Sequence, residues 1–359
     1  MILIVGGGIG GLSLAACLAR AGIDCEVVER NPVWTTVGGG ITLFPNGMRA
    51  LDAIGARPEV DAAGLPLELI RLLARDGLEL AVAPGEAWDG IGRTVVVDRR
   101  ALQRALRTAA AAVPVRLGTG VAGIDTDSAG VHVTFSDGTT GDYEVVVGAD
   151  GIRSTVRRLV FGPPTIRYVG QMYWRTAVTA DLVEVATMMF DRDRYVVVFP
   201  VGGGVTYVAF QLRSSEPLAD AEGTVAQLRA RFADFAAPAP SALDAVDGDP
   251  ALHFGPAEEV IDHMWHCGSV ALIGDAAHAC SPTMAQGGSL AIEDAVVLSE
   301  ELARQGIAAA ALEAFAARRA PRAAWVRGRT HQEIEMLNRG VGHLGERSQE
   351  TKAVLGQPI

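Results

Sequence analysis

Short apolar runs recur along the chain, each ending at a glycine-rich turn that leads into a helical stripe. Ile2-Leu3-Ile4-Val5 is wholly apolar and partly β-branched, the pattern of a strand buried on both faces of a parallel sheet. Leu12, Leu14, Ala15, Ala16 and Leu18 then recur at helical spacing until Gly22 stops the helix. Ile23 to Glu29 predicts the next strand. Far downstream, Val145-Val146-Val147 and Val270-Ala271-Leu272-Ile273 repeat the plan of buried strand and turn. Leu290, Ile292, Ala295, Val296 and Leu298 predict a long helix after the second of these. The fold class is α/β, with a Rossmann-type unit at its centre.

Between those motifs the period changes to two. Strands are predicted at Gln171–Ala180, Ala186–Asp191, Tyr195–Val201 and Val205–Leu212, with turns at Asp191-Arg192-Asp193 and Gly202-Gly203-Gly204. Leu69–Ala74 and Leu78–Val82 flank Asp76-Gly77 as a hairpin of the same sheet. Ala236–Ser241, rich in Pro and Ala, reads as a flexible connector. Ala308–Asn338 is an Ala/Arg-rich amphipathic helix, which Pro321 is expected to divide into two segments. The polar stretch after Asn338 is expected to fray.

Composition narrows the partners. The 359 residues suggest two domains, and 49% hydrophobic with 20% charged residues excludes a disordered chain. Lys plus Arg number 31 against 42 Asp plus Glu, a formal charge of −11 that disfavours nucleic acid and anionic lipid. Cys17, Cys25, Cys267 and Cys280 form no C-x-x-C pair, and Cys17 and Cys25 lie in apolar or strand-like surroundings, which fits buried thiols in a reducing compartment. No apolar run approaches the ~20 residues of a membrane span. Met1 to Val5 run straight into the first turn with no basic leader before them. The expectation is a cytoplasmic protein, monomeric or homodimeric.

Gly6-Gly7-Gly8-Ile9-Gly10-Gly11 contains G-x-G-x-x-G at Gly6, Gly8 and Gly11. Gly6 allows the tight turn, Gly8 lets a diphosphate approach the backbone, and Gly11 lets helix and strand pack closely. Ile9 and Gly10 lie within this loop, whose free N–H groups and positive helix end favour an anion. Glu29 stands 29 − 11 = 18 residues past the last glycine, where a carboxylate meets an adenosine ribose, and Arg30 follows it. These residues bind an ADP moiety; they leave open whether it belongs to FAD or NAD.

Two more motifs follow in order. One is Gly148-Ala149-Asp150-Gly151-Ile152-Arg153-Ser154-Thr155-Val156-Arg157; the other is Gly274-Asp275-Ala276-Ala277-His278, continuing to Ser281-Pro282-Thr283-Met284-Ala285-Gln286-Gly287-Gly288-Ser289. With the first glycine loop they resemble, over roughly residues 1–330, the single-component FAD-dependent aromatic hydroxylases, class A flavoprotein monooxygenases of the p-hydroxybenzoate hydroxylase fold. Trp174-Arg175 and Gln286-Gly287-Gly288 resemble the salicylate- and urate-hydroxylase-like branch most.

The resemblance implies a discontinuous FAD-binding domain (1–68, 94–162 and 257–340), an inserted mixed β-sheet substrate domain (69–93 and 163–256) and a C-terminal tail (341–359). It implies that Gly274 and Asp275 meet the flavin ribityl hydroxyls, and that Pro282 lies beside the reactive edge of the ring. It places Gly287, Gly288 and Ser289 against flavin N1 and O2 through their N–H groups and the helix dipole. Arg99, three residues before Leu102, and more weakly Gln103, match groups that reach the cofactor. Asp150 matches a carboxylate linked to flavin and nicotinamide binding; from its position alone it equally caps the following helix. Ala285 and Ser289 depart from the family's Gly-Gln-Gly-x-Asn. Ala285 restricts φ, so a shifted turn is expected, while Ser289 is a good helix N-cap.

The implied activity is hydroxylation of an aromatic or heteroaromatic small molecule with NADPH or NADH and O2, by way of a flavin C4a-hydroperoxide. Candidate substrate residues on the alternating strands are Tyr173, Arg175, Arg194 and Tyr207, with Trp174 and Gln211 also polar there; in an extended strand Tyr173 and Arg175 share one face and Trp174 takes the other. Arg194 or Tyr207 would do any acid–base work. His278 reads as a packing residue. His263 and His266 beside Cys267 lack the rest of a metal-ligand array. Arg157 and Arg158 read as solvated helix charges, although Arg153 or Arg157 could steer NAD(P)H. The rival readings are a flavin-dependent reductase or oxidase without oxygen insertion, a halogenase (whose Trp-x-Trp-x-x-Pro segment is absent) and a non-catalytic flavin sensor.

Overall fold

The computed structural model describes residues 1–34, 39–85, 87–88, 90–127, 130–248, 252–338 and 344–359. Two large sheets organise them. The first has six strands in the order Val115–Leu117, Cys25–Glu29, Ile2–Val5, Val145–Gly148, Val270–Leu272, His266–Cys267, parallel except for the last. Ile2, Leu3, Ile4, Val145, Val146 and Val147 are all fully buried, as runs without polar residues require. Helix Ile9–Ala21 packs on this sheet and against helix Gly287–Gln305. Register sets the strand ends level. Gly6 N–H donates to Val28 O at 2.8 Å, Ala149 N–H to Val5 O at 2.8 Å and Ile273 N–H to Gly148 O at 2.9 Å. The turns that follow these strands therefore leave the sheet along one edge.

The second sheet has seven strands in the order His253–Val260, Ile166–Val178, Val205–Arg213, Arg194–Gly202, Ala186–Phe190, Leu69–Ala74, Glu79–Pro84. Ala186–Phe190 pairs in parallel with Leu69–Ala74, and the remaining pairs are antiparallel. The expected strands and hairpin are present with ends shifted by a few residues. One face carries Met172, Trp174, Val196, Val198, Val208 and Phe210, buried beneath helices Val225–Phe232 and Ala239–Asp244. The opposite face packs, through Ala186, Phe199 and Val201, on Val96 of a small three-stranded sheet formed by Gly40–Leu43, Val95–Asp98 and Leu65–Pro66.

Four expectations change. The Ala236–Ser241 connector is not a free linker: Ala239–Asp244 is helical and buries Ala239, Ala242 and Leu243 at i, i+3 and i+4. Pro321 does not divide the C-terminal helix, which runs unbroken over Ala309–Asn338. The lost backbone bond is outweighed on both sides of it by buried Leu312, Phe315, Ala323 and Val326. Within the expected tail, residues 341–343 lie outside the described residues, and Leu344–Leu355 is a helix whose Leu355 is buried. Residues 69–93 do not stay with the substrate sheet throughout: Trp88 packs with Met284, Leu290, Val326 and Leu355 on the nucleotide side. Val121–Thr126, Val131–Phe135 and Thr140–Tyr143 form a separate three-stranded meander. The alternation of buried Val131, Val133 and Phe135 was its available signal.

Candidate active site

The glycine loop is built by contact. Gly6 has φ +111°, and a Cβ there would stand 2.4 Å from Ala149 O; a Cβ on Gly11 would stand 1.9 Å from Gly6 O. Strand Ile2–Val5, helix Ile9–Ala21 and the Asp150 turn can meet so closely only because these positions lack side chains. Gly8 is exposed with open space around it, whereas Ile9 packs on the core and Gly10 lies near Ile273 and Ala291. Glu29 accepts hydrogen bonds from Gly7 N–H (2.8 Å) and Asn31 N–H (2.9 Å), holding its carboxylate at the end of its strand beside Gly7. Arg30 is exposed next to Gly120.

The other two junctions come to the same edge. Asp150 accepts from Thr155 N–H at 2.7 Å, Val156 N–H at 3.2 Å and the Ser154 hydroxyl. Its carboxylate thus caps helix Thr155–Val160, and burial raises its pKa against those bonds. Gly274, at φ +57°, turns the chain so that Asp275 begins a short helix with its side chain exposed. A Cβ on Gly287 would lie 3.9 Å from Asp275 Oδ1, so the Asp275 carboxylate sits at the N-terminus of helix Gly287–Gln305. Pro282 opens a 3-10 turn that ends at Ala285 with φ 51°. Ala285 itself takes the left-handed conformation, and its N–H donates to Pro282 O at 2.8 Å. Ser289 does not cap the helix. Gln286 is the N-cap residue, and Ser289 is buried one turn in, with no partner for its Oγ among the described residues. Gly288 packs close to Ile41.

Helix Arg99–Ala109 bridges these ends. Arg99, Gln103 and Arg107 follow at i, i+4 and i+8 and so lie on one face. Arg99 interacts with Asp275 at one end, and Arg107 lies 4.7 Å over Trp34 at the other. A Cβ on Gly7 would stand 2.8 Å from the Trp34 ring. An extended dinucleotide fits this track. Glu29 and the open Gly8 are at one end, Asp275 and Arg99 at the other, and the buried, unpartnered Gln286 Nε2 and Ser289 Oγ lie beyond.

On the substrate sheet, Tyr173 and Arg175 share the inward face and Trp174 the other, where its ring lies 4.9 Å from Phe254. Tyr173 donates to Gln171 Oε1 at 2.9 Å, and Ser281 and Thr283 approach the same oxygen at 3.5 Å. The sheet is thereby tied to the Pro282 turn. Arg175 lies 5.4 Å over the Tyr173 ring, forms no ion pair among the described residues, and keeps a buried Nε without a partner. Tyr207 faces the same space and packs on Gly40; burial raises its pKa, with Arg175 and Arg99 opposing. Gln211 pairs across from Tyr173.

Arg194 is not in this group. Its guanidinium bonds Asp191, Asp234 and Arg231 O and lies 5.1 Å over Phe235, on the helix-covered side. That pairing is invisible along the chain, because Asp234 is 40 residues away. His253 was missed: strand register sets it opposite Arg175, and burial, then Arg175 and Arg99, hold its pKa below the ordinary imidazole value. Arg157 is a correction of another kind. It is 1% exposed and donates to Ala276 O (2.7 Å) and Ala277 O (2.9 Å), bracing the turn behind Asp275. Arg153 pairs with Glu258 at the surface, and Arg158 is exposed.

Comparison with known proteins is consistent along the chain. The family model described as FAD binding domain matches residues 1–330. The 2-heptyl-3-hydroxy-4(1H)-quinolone synthase of Pseudomonas aeruginosa is 35% identical, covering 83% of this chain and 79% of its own. The 3-amino-4-hydroxybenzoate 2-monooxygenase of Streptomyces cremeus is 33% identical, covering 93% and 86%. Among solved structures, HpxO of Klebsiella pneumoniae complexed with FAD and uric acid has a TM-score of 0.84 at 27% identity, covering 99% of this chain and 93% of that one. No helix among the described residues is long and apolar enough to cross a membrane.

Proposed function

The chain belongs to the FAD-dependent monooxygenases of the class A aromatic hydroxylase family, and from that premise we propose that its substrate is an aromatic or heteroaromatic ring bearing an acidic group, held by Arg175, Tyr207 and His253. The enzyme hydroxylates a small aromatic or heteroaromatic molecule with FAD, NAD(P)H and O2. When bound, FAD supplies the electron transfer and the oxygen activation.

The observation that carries the substrate reading is the Arg175 guanidinium on the inward face, whose Nε has no hydrogen bond and which forms no ion pair among the described residues, with Tyr207 and His253 beside it. A half-buried cation lacking a carboxylate partner among the described residues favours an anionic or readily ionised guest. His253, held neutral, accepts a proton from a ring hydroxyl, while Arg175 stabilises the resulting oxyanion. Tyr207 keeps its own proton and donates a hydrogen bond. Tyr173, locked on Gln171, sets the wall toward Pro282. Arg194, fixed on the far side of the sheet, takes no part.

For the cofactor, Glu29 receives the adenosine ribose and the Gly6–Gly11 loop the diphosphate. Arg99 and Asp275 flank the ribityl chain, and Gly287 and Gly288 present N–H groups to the flavin pyrimidine. Every group named comes from a single chain, which suits either a monomer or a homodimer. The cytoplasm, where thiols remain reduced, is its compartment.

The test is a matched panel of hydroxyarenes, arene acids and purine-like acids with their neutral O- or N-methyl derivatives. Acidic members are expected to stimulate NAD(P)H oxidation and yield products heavier by one oxygen. Equal stimulation and turnover with the methylated derivatives would overturn the proposal.

A further inference from the structure

Two adjacent carboxylates on helix Gly287–Gln305, Glu293 and Asp294, are each fully buried (0% exposed). Successive helix positions point about 100° apart, so the pair reaches in two directions. Asp294 Oδ2 accepts from Gly274 N–H at 2.9 Å and lies 2.6 Å from His278 Nε2, and Asp294 Oδ1 accepts from Arg319 Nε at 2.8 Å. Glu293 pairs with Arg319 at 2.9 Å and with Arg322 at 3.0 Å. Asn46 Nδ2 donates both to Glu293 Oε1 at 3.3 Å and to Gln286 Oε1 at 3.1 Å. One carboxylate thus ends on the turn that aims Asp275, the other on the turn that opens the helix at Gly287 and Gly288.

Stability alone is a poor reason for such an arrangement, since apolar residues of similar volume often replace buried ion pairs without loss. What an apolar pair would not supply is an acceptor for Gly274 N–H at a left-handed turn, or an anchor for the Asn46–Gln286 link. We infer that Asp294 and Glu293 are positioning residues that hold the two flavin-facing turns at a fixed spacing, by way of Gly274 and of Asn46 with Gln286. Burial pushes the Asp294 carboxyl up, but His278 and Arg319 more than offset this and hold it at about 2, so the acceptor stays ionised. The inference rests on FAD binding at these turns.

The test uses the full chain, comparing FAD affinity, the absorption bands of bound flavin and apoprotein Tm. Asp294→Asn keeps the shape but sets an amide against the donors of His278 and Arg319. It is expected to weaken FAD at least tenfold and alter the bound-flavin bands. Leu302→Ala, a buried change at the other end of the same helix, is expected to lower Tm with little effect on either. Asn46→Leu leaves the ion pairs of Glu293 and Asp294 in place and is expected to weaken FAD at least threefold, so the inference stays testable should Asp294→Asn fail to fold. Wild-type affinity and bands in folded Asp294→Asn, or equal losses in Leu302→Ala, would overturn the Asp294 role. Wild-type affinity in Asn46→Leu would overturn the Glu293 role. Absence of FAD binding in the wild type would overturn the cofactor reading itself.

Discussion

The two sheets approach the same space with different materials. Along the edge of the first, the surface offered to a ligand is mostly backbone: the turns at Gly6, Gly274 and Ala285 all take left-handed φ, and the side chains that contribute, Glu29 and Asp275, stand at strand ends. Across from it, the substrate sheet offers side chains from the middle of strands, with Arg175, Tyr207 and His253 brought together by register between three strands. A backbone site demands particular residues at particular spacings, since few sequences permit the path. A side-chain site on a regular sheet tolerates many residues without disturbing the strands. Cofactor binding should therefore be fragile to small changes in the turns, and substrate choice should change while the fold stays intact.

The largest effect expected from that contrast is at Gly11. With Gly6 O 1.9 Å from the position of a Cβ, Gly11→Val should cost about 3 kcal/mol or more and abolish FAD retention; a folded, yellow variant with wild-type Tm would break the backbone half of the comparison. Next comes Arg175→Met. It should raise KM for an acidic substrate by about 10- to 100-fold, the loss of one charged hydrogen bond, while FAD affinity and Tm stay unchanged. Coupled loss of FAD would show that the two sites are not separable.

The same contrast explains what could be read in advance. The three glycine motifs, the strands leading into them and the places of Glu29, Asp275 and Pro282 at the turns were legible because sterics leave the backbone little choice there. Tyr173 and Arg175 were legible as one face of an alternating strand. His253 was not, because its place depends on pairing with a strand 78 positions earlier (253 − 175 = 78). Arg194 misled because a polar residue on a strand has no visible partner until Asp234 is folded against it. Arg157 misled likewise: only the fold supplies the two carbonyls that make its burial tolerable.

A smaller effect sharpens the side-chain half. Since burial and two arginines disfavour protonation of His253, kcat/KM should stay level through neutral pH and fall only below the ordinary imidazole range, as the imidazole becomes charged. His253→Gln should lower kcat/KM at neutral pH and remove that acid limb; a limb unmoved by the substitution would assign the titration elsewhere. The smallest effect returns to the backbone. Ala285→Gly should raise Tm by relieving the left-handed alanine, a gain of about 0.5–1 kcal/mol, and a lower Tm would mean that the turn is not strained.

The most direct measurement is a titration of apoprotein with FAD, followed by flavin fluorescence, for the wild type, Glu29→Ala and Asp275→Ala. One FAD per chain is expected, with affinity lowered by about 1–2 kcal/mol in Glu29→Ala and at least tenfold in Asp275→Ala, whose carboxylate is exposed and whose apoprotein should keep its Tm. Wild-type affinity in both variants would contradict a single cofactor spanning the two strand ends.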